Sequence, residues 1–255
     1  MLLKDKTVII HGAAGHIGRS IAATFAREGA RLFLAGRTFE PVQTLAKSLD
    51  GNAAQVDALD ETSVEAHADR VIALAGRIDI SVNAVSIRGD LQGQPLIDMS
   101  VDDVLAPAET GIRAHFITAR AAARRMIANR AGVILTLSST SAGLSGRDRV
   151  YHRTGGFGVG CTAVEALSRS LAGELGPYGI RVVCLRADAL PETWPHDAQA
   201  ELRDIRSYMD QGTALGRLPR LSEVADAAAF AASDRAGAMT GTIINLTCGS
   251  VMDAN

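Results

Sequence analysis

Thr7-Val8-Ile9-Ile10-His11-Gly12-Ala13-Ala14-Gly15-His16-Ile17-Gly18 is the stretch whose reading decides the fold. Thr7 to His11 reads as a short buried strand, and Gly12 to Gly18 as a tight glycine-rich turn. Beyond it Ile17, Ile21, Ala22, Phe25 and Ala26 recur at helical spacing. Strand, glycine turn and helix form the opening unit of a doubly wound, nucleotide-binding sheet. Glycines lack Cβ, so the backbone can turn sharply and approach a diphosphate closely. Free N–H groups and the positive end of the helix then face that anion. A glycine triplet by itself is a weak signal, and the rest of the chain has to support it.

Outward from this unit, short apolar runs alternate with longer helical patterns. Residues 31–35, 53–56, 78–82, 133–137, 181–185 and 242–246 read as further strands. Residues 41–49 and 61–75 read as helices, the second with Gly76 as its stop. Continuous Val/Ile/Leu runs imply strands buried on both faces, and helical crossovers imply a parallel sheet. The expected fold is therefore α/β, a single doubly wound parallel sheet of about seven strands with helices on both faces. One domain, 1–255, is the economical reading. Two longer helices are expected at 101–128 and 157–175. Pro107 should kink the first or mark its true start, and Ala163, Ala166 and Ala172 on the second leave room for another helix. The run from Thr154 to Gly160 looks too glycine-rich to hold a rigid helix. The irregular region 187–211, with Pro191, Trp194, Pro195 and a polar helical pattern at 198–209, is expected to be a lid.

Composition narrows the function. The 255 residues are 47% hydrophobic and 21% charged, which implies a sizeable core rather than disorder. A net charge of −2 gives no electrostatic reason to expect nucleic acid or an anionic membrane surface. Charges within Met1 to Lys6 interrupt any signal-peptide core, and no apolar run approaches the ~18 residues of a membrane span. Cys161, Cys184 and Cys248 form no CxxC pair, so reduced thiols in the cytoplasm are the simplest reading. No His, Cys, Asp or Glu cluster has metal-ligand spacing.

Over essentially its whole length the chain resembles the short-chain dehydrogenase/reductase family. The landmarks are Gly12, Gly15 and Gly18; Asp57-Ala58-Leu59-Asp60; Gly76-Arg77-Ile78-Asp79-Ile80; Leu137-Ser138-Ser139; the run from Ala163 to Ala172; and Glu174-Leu175-Gly176-Pro177-Tyr178-Gly179-Ile180-Arg181-Val182. Gly216-Arg217-Leu218, Glu223-Val224-Ala225 and Thr240-Gly241 follow in order. The resemblance implies an oxidoreductase that binds a nicotinamide dinucleotide through Gly12, Gly15, His16, Ile17, Gly18, Arg37, Asp57 and Asn83. His16 stands at the family's usual middle glycine, and Gly15 restores the G-x-x-G-x-x-G spacing of extended members. Where an acid would bind the ribose 2′-hydroxyl the chain has Gly36, followed by Arg37, whose guanidinium suits a 2′-phosphate. NADP(H) is therefore favoured over NAD(H). The family's assembly implies a homodimer or homotetramer through the two long helices.

The other half of the expected site departs from the family. After the fourth strand the run reads Asn83-Ala84-Val85-Ser86, with serine in place of the closing glycine. Gly111 stands at the family's asparagine, Phe157 and Cys161 at its Tyr-x-x-x-Lys, and Ala187-Asp188 at its Pro-Gly. Phenylalanine has no exchangeable proton and a thiol carries no positive charge, so the family's acid–base pair is absent. Ser139 or its neighbour Ser138 remains, and Tyr151, with His152 and Arg153, is the substitute acid reachable from a loop. The sequence thus admits an oxidoreductase with a rebuilt site, or an inactive dinucleotide-binding sensor or regulatory partner. A lyase or dehalogenase has no positive motif.

Overall fold

The computed structural model describes residues 1–90, 92–140, 153–195 and 202–252. Seven strands form one parallel sheet: β1 Thr7–His11, β2 Arg31–Gly36, β3 Asn52–Gln55, β4 Ile80–Asn83, β5 Gly132–Ser139, β6 Ile180–Ala187 and β7 Thr242–Leu246. Their order is β3-β2-β1-β4-β5-β6-β7, so the chain reverses direction of growth between β1 and β4. Helices α1 His16–Arg27, α2 Phe39–Ser48, α3 Glu61–Ala75, α4 Val101–Asn129, α5 Gly155–Leu175, α6 Arg203–Gln211 and α7 Leu221–Ala232 complete the frame.

The unbroken apolar runs are explained by two cores, one on each face of the sheet. Val8, Ile10, Leu32 and Leu34 pack with Ile21, Phe25 and Ala228 on the side of α1, α2 and α7. The alternate residues Ile9 and Phe33 pack with Val64, Val71, Met126 and Leu171 on the side of α3, α4 and α5. Side chains of successive strand residues point to opposite faces, so a strand covered on both sides has no solvent-facing position. All five residues of β1 are buried.

Local chemistry sets the ends. Asp60 caps α3 by accepting the Thr62 N–H at 3.0 Å, and Gly76 closes it at φ +77, as expected from the sequence. β4 begins at Ile80, two residues later than the apolar run implied, and just before it the Asp79 carboxylate accepts the Thr7 N–H at 2.8 Å. Ser100 caps α4 and accepts the Asp103 N–H at 3.1 Å, so Pro107 lies inside that helix and does not mark its start.

The expectation about the glycine-rich run is corrected. α5 starts at Gly155, and the glycines are what lets it lie against α4. A Cβ at Gly156 would stand 2.2 Å from the Val104 carbonyl oxygen, and one at Gly160 would stand 2.9 Å from the carbonyl carbon of Pro107. Close contact with α4 outweighs the poor helix propensity of glycine. The polar helix expected at 198–209 is α6, and residues 196–201 lie outside the described part.

Candidate functional site

Two cavities open at the carboxyl ends of the strands, where doubly wound sheets bind ligands. The first, of about 480 Å³, spans the ends of β1 to β4 and is lined by Gly12, Gly15, Arg37, Asp57, Ala84 and Arg88 among others. Gly12 adopts φ +73, and a Cβ there would lie 2.6 Å from the Ala84 carbonyl oxygen. Gly18 packs tighter still, since its Cβ would meet the Gly12 oxygen at 2.3 Å. Both glycines fold the turn onto itself so that α1 begins at the cleft. Gly15 is the N-cap of α1, with no side-chain cap and no acid in the first turn, so its N-terminal N–H groups remain for an anion.

Arg37 follows β2 and is exposed, with no ion-pair partner among the described residues. Its own carbonyl accepts from Gln55 Nε2 at 3.0 Å, which fixes the backbone and leaves the guanidinium free to reach a ligand. A side chain at Gly36 would crowd Val42, 2.9 Å from the added Cβ. Asp57 lines the same cleft while its Oδ1 accepts the Leu59 N–H at 3.0 Å, a local turn that orients the carboxylate.

The second cavity, of about 300 Å³, lies beyond the ends of β5 and β6. Ile17, Ser139, Phe157, Asp188, Leu190 and Trp194 contribute to it. Asp188 is 5% exposed. Its Oδ1 accepts from the Thr140 hydroxyl at 3.2 Å and from the Ala189 N–H at 2.7 Å. Its Oδ2 is buried and has no hydrogen-bond partner among the described residues. The region expected to be a lid supplies Asp188, Leu190, Thr193, Trp194 and Met209 to this wall.

Behind the second cavity lies a polar cluster. Arg186 donates to both oxygens of Glu165, at 2.7 and 2.8 Å, and Glu165 Oε1 also accepts the Ser138 hydroxyl at 2.8 Å. Cys161, one turn before Glu165, is fully buried rather than facing a cavity. Burial pushes its thiol up to about 12, Glu165 adding to the effect and the Ser139 backbone opposing it. The thiol is therefore protonated at neutral pH and is no nucleophile.

Of the residues singled out from the sequence, Gly12, Gly15, Arg37 and Asp57 meet in the first cleft, and Ile17, Ser139 and Phe157 in the second. His16 is exposed at the start of α1, and Gly18 is buried under the turn. Asn83 is spent inside the fold: its Nδ2 donates to Thr118 Oγ1 at 2.8 Å and its Oδ1 accepts the Val85 N–H at 2.9 Å. Gly111 faces Ile87 and Val164 in the packed flank of α4. Tyr151 and His152 lie outside the described residues. Arg153 accepts the Gly93 N–H on its backbone carbonyl at 2.6 Å. Sequence reasoning missed Arg88, Thr140 and the Glu165–Arg186 pair. Arg186, a charged residue inside the apolar run of β6 and two residues before Asp188, was the signal for the pair.

The family model for enoyl-(acyl carrier protein) reductase matches residues 12–250. The chain is 34% identical over 254 residues to an L-rhamnose 1-dehydrogenase (NAD(P)(+)) of Azotobacter vinelandii, covering 94% of each protein. It is 31% identical over 249 residues to tropinone reductase-like 1 of Erythroxylum coca, covering 94% of this chain and 88% of that one. The crystal structure of a short-chain type dehydrogenase/reductase from Mycobacterium marinum superposes with a TM-score of 0.85 at 25% identity, over 98% of this chain and 97% of that one.

Proposed function

Since the chain belongs to the short-chain dehydrogenase/reductase family, we propose that it is an oxidoreductase that prefers NADP(H) and handles protons differently from the family's tyrosine–lysine pair. The observation that carries this reading is Arg37, a guanidinium with no ion-pair partner among the described residues, at the rim of the cleft where α1 begins. The residues fit a dinucleotide. The uncapped start of α1 suits the diphosphate, Asp57 the adenine amino group, and Arg37 a 2′-phosphate. Crowding of any side chain at Gly36 by Val42 disfavours the acid that would select NAD(H). In its reduced form the dinucleotide supplies a hydride when bound.

The chain's own residues then define what is possible at the substrate. Ser139 lines the second cavity. Phe157 in its wall has no proton to give, and Cys161 supplies no positive charge. Ordinary carbonyl reduction is accordingly slow. The similar proteins are dehydrogenases and reductases, which supports turnover over an inactive sensor.

Assembly and location belong to the same reading. Leu105, Ile112 and Phe116 on α4 and Val159 on α5 are exposed, which supports a homodimer or homotetramer through these helices. The cysteines are free thiols, in keeping with the cytoplasm. Among the described residues no helix is long and apolar enough to cross a membrane.

Calorimetry with NADPH and NADH tests the proposal. NADPH should bind about tenfold or more tightly, and Arg37→Ala should remove most of the difference, as expected for one charge-assisted, two-point contact. Equal affinities would remove the preference, and binding of neither dinucleotide would overturn the proposal.

A further inference from the structure

The second cavity holds a carboxyl group for which carbonyl chemistry has no use. Asp188 is nine-tenths buried, both acceptor contacts fall on Oδ1, and Oδ2 has none among the described residues. The described residues that line the cavity include no lysine, arginine or histidine. A buried carboxylate without a counter-charge is strongly unfavourable, and a bound cation relieves it. The remaining wall suits an organic cation, since Phe157 and Trp194 bring aromatic rings and Leu190 and Met209 apolar surface.

We propose that this cavity binds a cationic nitrogen compound, a protonated amine or an iminium, with Asp188 as its counter-charge and Phe157 and Trp194 as its walls. Such a substrate class removes the requirement that Phe157 leaves unmet. Reduction of a carbonyl ends with a proton placed on oxygen. Hydride addition to an iminium carbon forms a C–H bond, moves the C=N π pair onto nitrogen and yields a neutral amine. Charge and atoms balance with no proton from the protein. The reductant is a reduced nicotinamide dinucleotide, so this step rests on the preceding reading of the chain, whereas the binding site itself does not.

Trp194 is the only tryptophan of the chain, so its fluorescence reports on the cavity directly. The unmodified protein is titrated at neutral pH with benzylamine, protonated there, and with benzyl alcohol, its neutral analogue of similar size. Benzylamine should give a saturable change with an affinity at least about tenfold above that of benzyl alcohol. Asp188→Asn should lower benzylamine affinity by about tenfold and leave benzyl alcohol unaffected. Equal affinities for the two probes, or no saturable response to benzylamine, would overturn the proposal. That comparison stands on the unmodified protein, whether or not the variant folds. NADPH calorimetry on the same preparation separates the two readings. NADPH binding without amine preference overturns this inference alone, and amine preference without NADPH binding overturns the dinucleotide reading alone.

Discussion

Glu165 of α5 and Arg186 of β6 meet through two hydrogen bonds, 2.7 Å from Nε to Oε1 and 2.8 Å from Nη2 to Oε2. Their side chains are 10% and 12% exposed, so the pair ties helix to sheet away from solvent. Removing one partner of a buried pair leaves the other's desolvation uncompensated. Glu165→Ala should therefore lower stability by ~3–5 kcal/mol in urea unfolding. The double variant Glu165→Met with Arg186→Met should lose far less than the sum of the single variants. A simple sum would mean the pair is not coupled in the folded protein.

Two glycines of α5 should respond in opposite directions to the same change. Gly156→Ala places a Cβ 2.2 Å from the Val104 oxygen and forces α4 and α5 apart. Gly173→Ala meets nothing within 4 Å and keeps a helical backbone. The second change should stabilise by ~0.5–1 kcal/mol through helix propensity, and the first should destabilise clearly. Thermal unfolding of the two variants checks this, and a neutral Gly156→Ala would contradict the close contact.

Acid should weaken the fold before carboxylates titrate. Burial lowers His11 to about 3, with a further push from His67, whose ring stands edge-on 5.9 Å away. Burial also lowers His67 to about 4, with Arg70 adding to it, and His115 to about 4, against the Gly111 carbonyl. A folded-state value below the unfolded one near 6.5 means that the unfolded chain takes up protons first. The stability is complete above about pH 6.5 and falls as pH drops toward 4. At pH 5 each histidine should cost on the order of 2 kcal/mol, at ~1.4 kcal/mol per unit. Urea midpoints at pH 7.5 and pH 5 measure it, and His67→Phe, if folded, should flatten the profile. Equal midpoints would show that these rings are hydrated.

The chemistry at Phe157 gives a further expectation. Carbonyl reduction with NADPH should be absent, or at least about a hundredfold slower than in a relative with the tyrosine, because a general acid supplies ~10²–10⁴-fold. Phe157→Tyr alone should not restore it. Phe157→Tyr with Cys161→Lys is the smallest repair, but position 161 is fully buried beside Glu165, so the new ammonium has to compete with that carboxylate. Robust ketone reduction by the unmodified protein, lost in Tyr151→Phe but kept in Phe157→Leu, would move the acid to Tyr151.

The order of strands, the helices other than α7, the glycine turn and Arg37 after β2 were legible in the chain alone. Each is written in neighbouring residues: apolar runs, helical spacing, a cap such as Asp60, a stop such as Gly76. Adjacency along the chain also placed Ser139, Phe157 and Cys161, but not what surrounds them. The glycines from 155 to 160 look like a broken helix until α4 lies against them, since the reason for Gly156 is Val104, an oxygen distant in sequence. The Asp188–Thr140 contact spans 48 residues, and the Ser138–Glu165 contact spans 27. Packing in three dimensions decided that Asn83 turns inward to Thr118, that Cys161 is sealed, and that one Asp188 oxygen, beside an aromatic wall, has no partner among the described residues. Burial and distance set the cost of a charge, and neither can be read from one residue's neighbours in the chain.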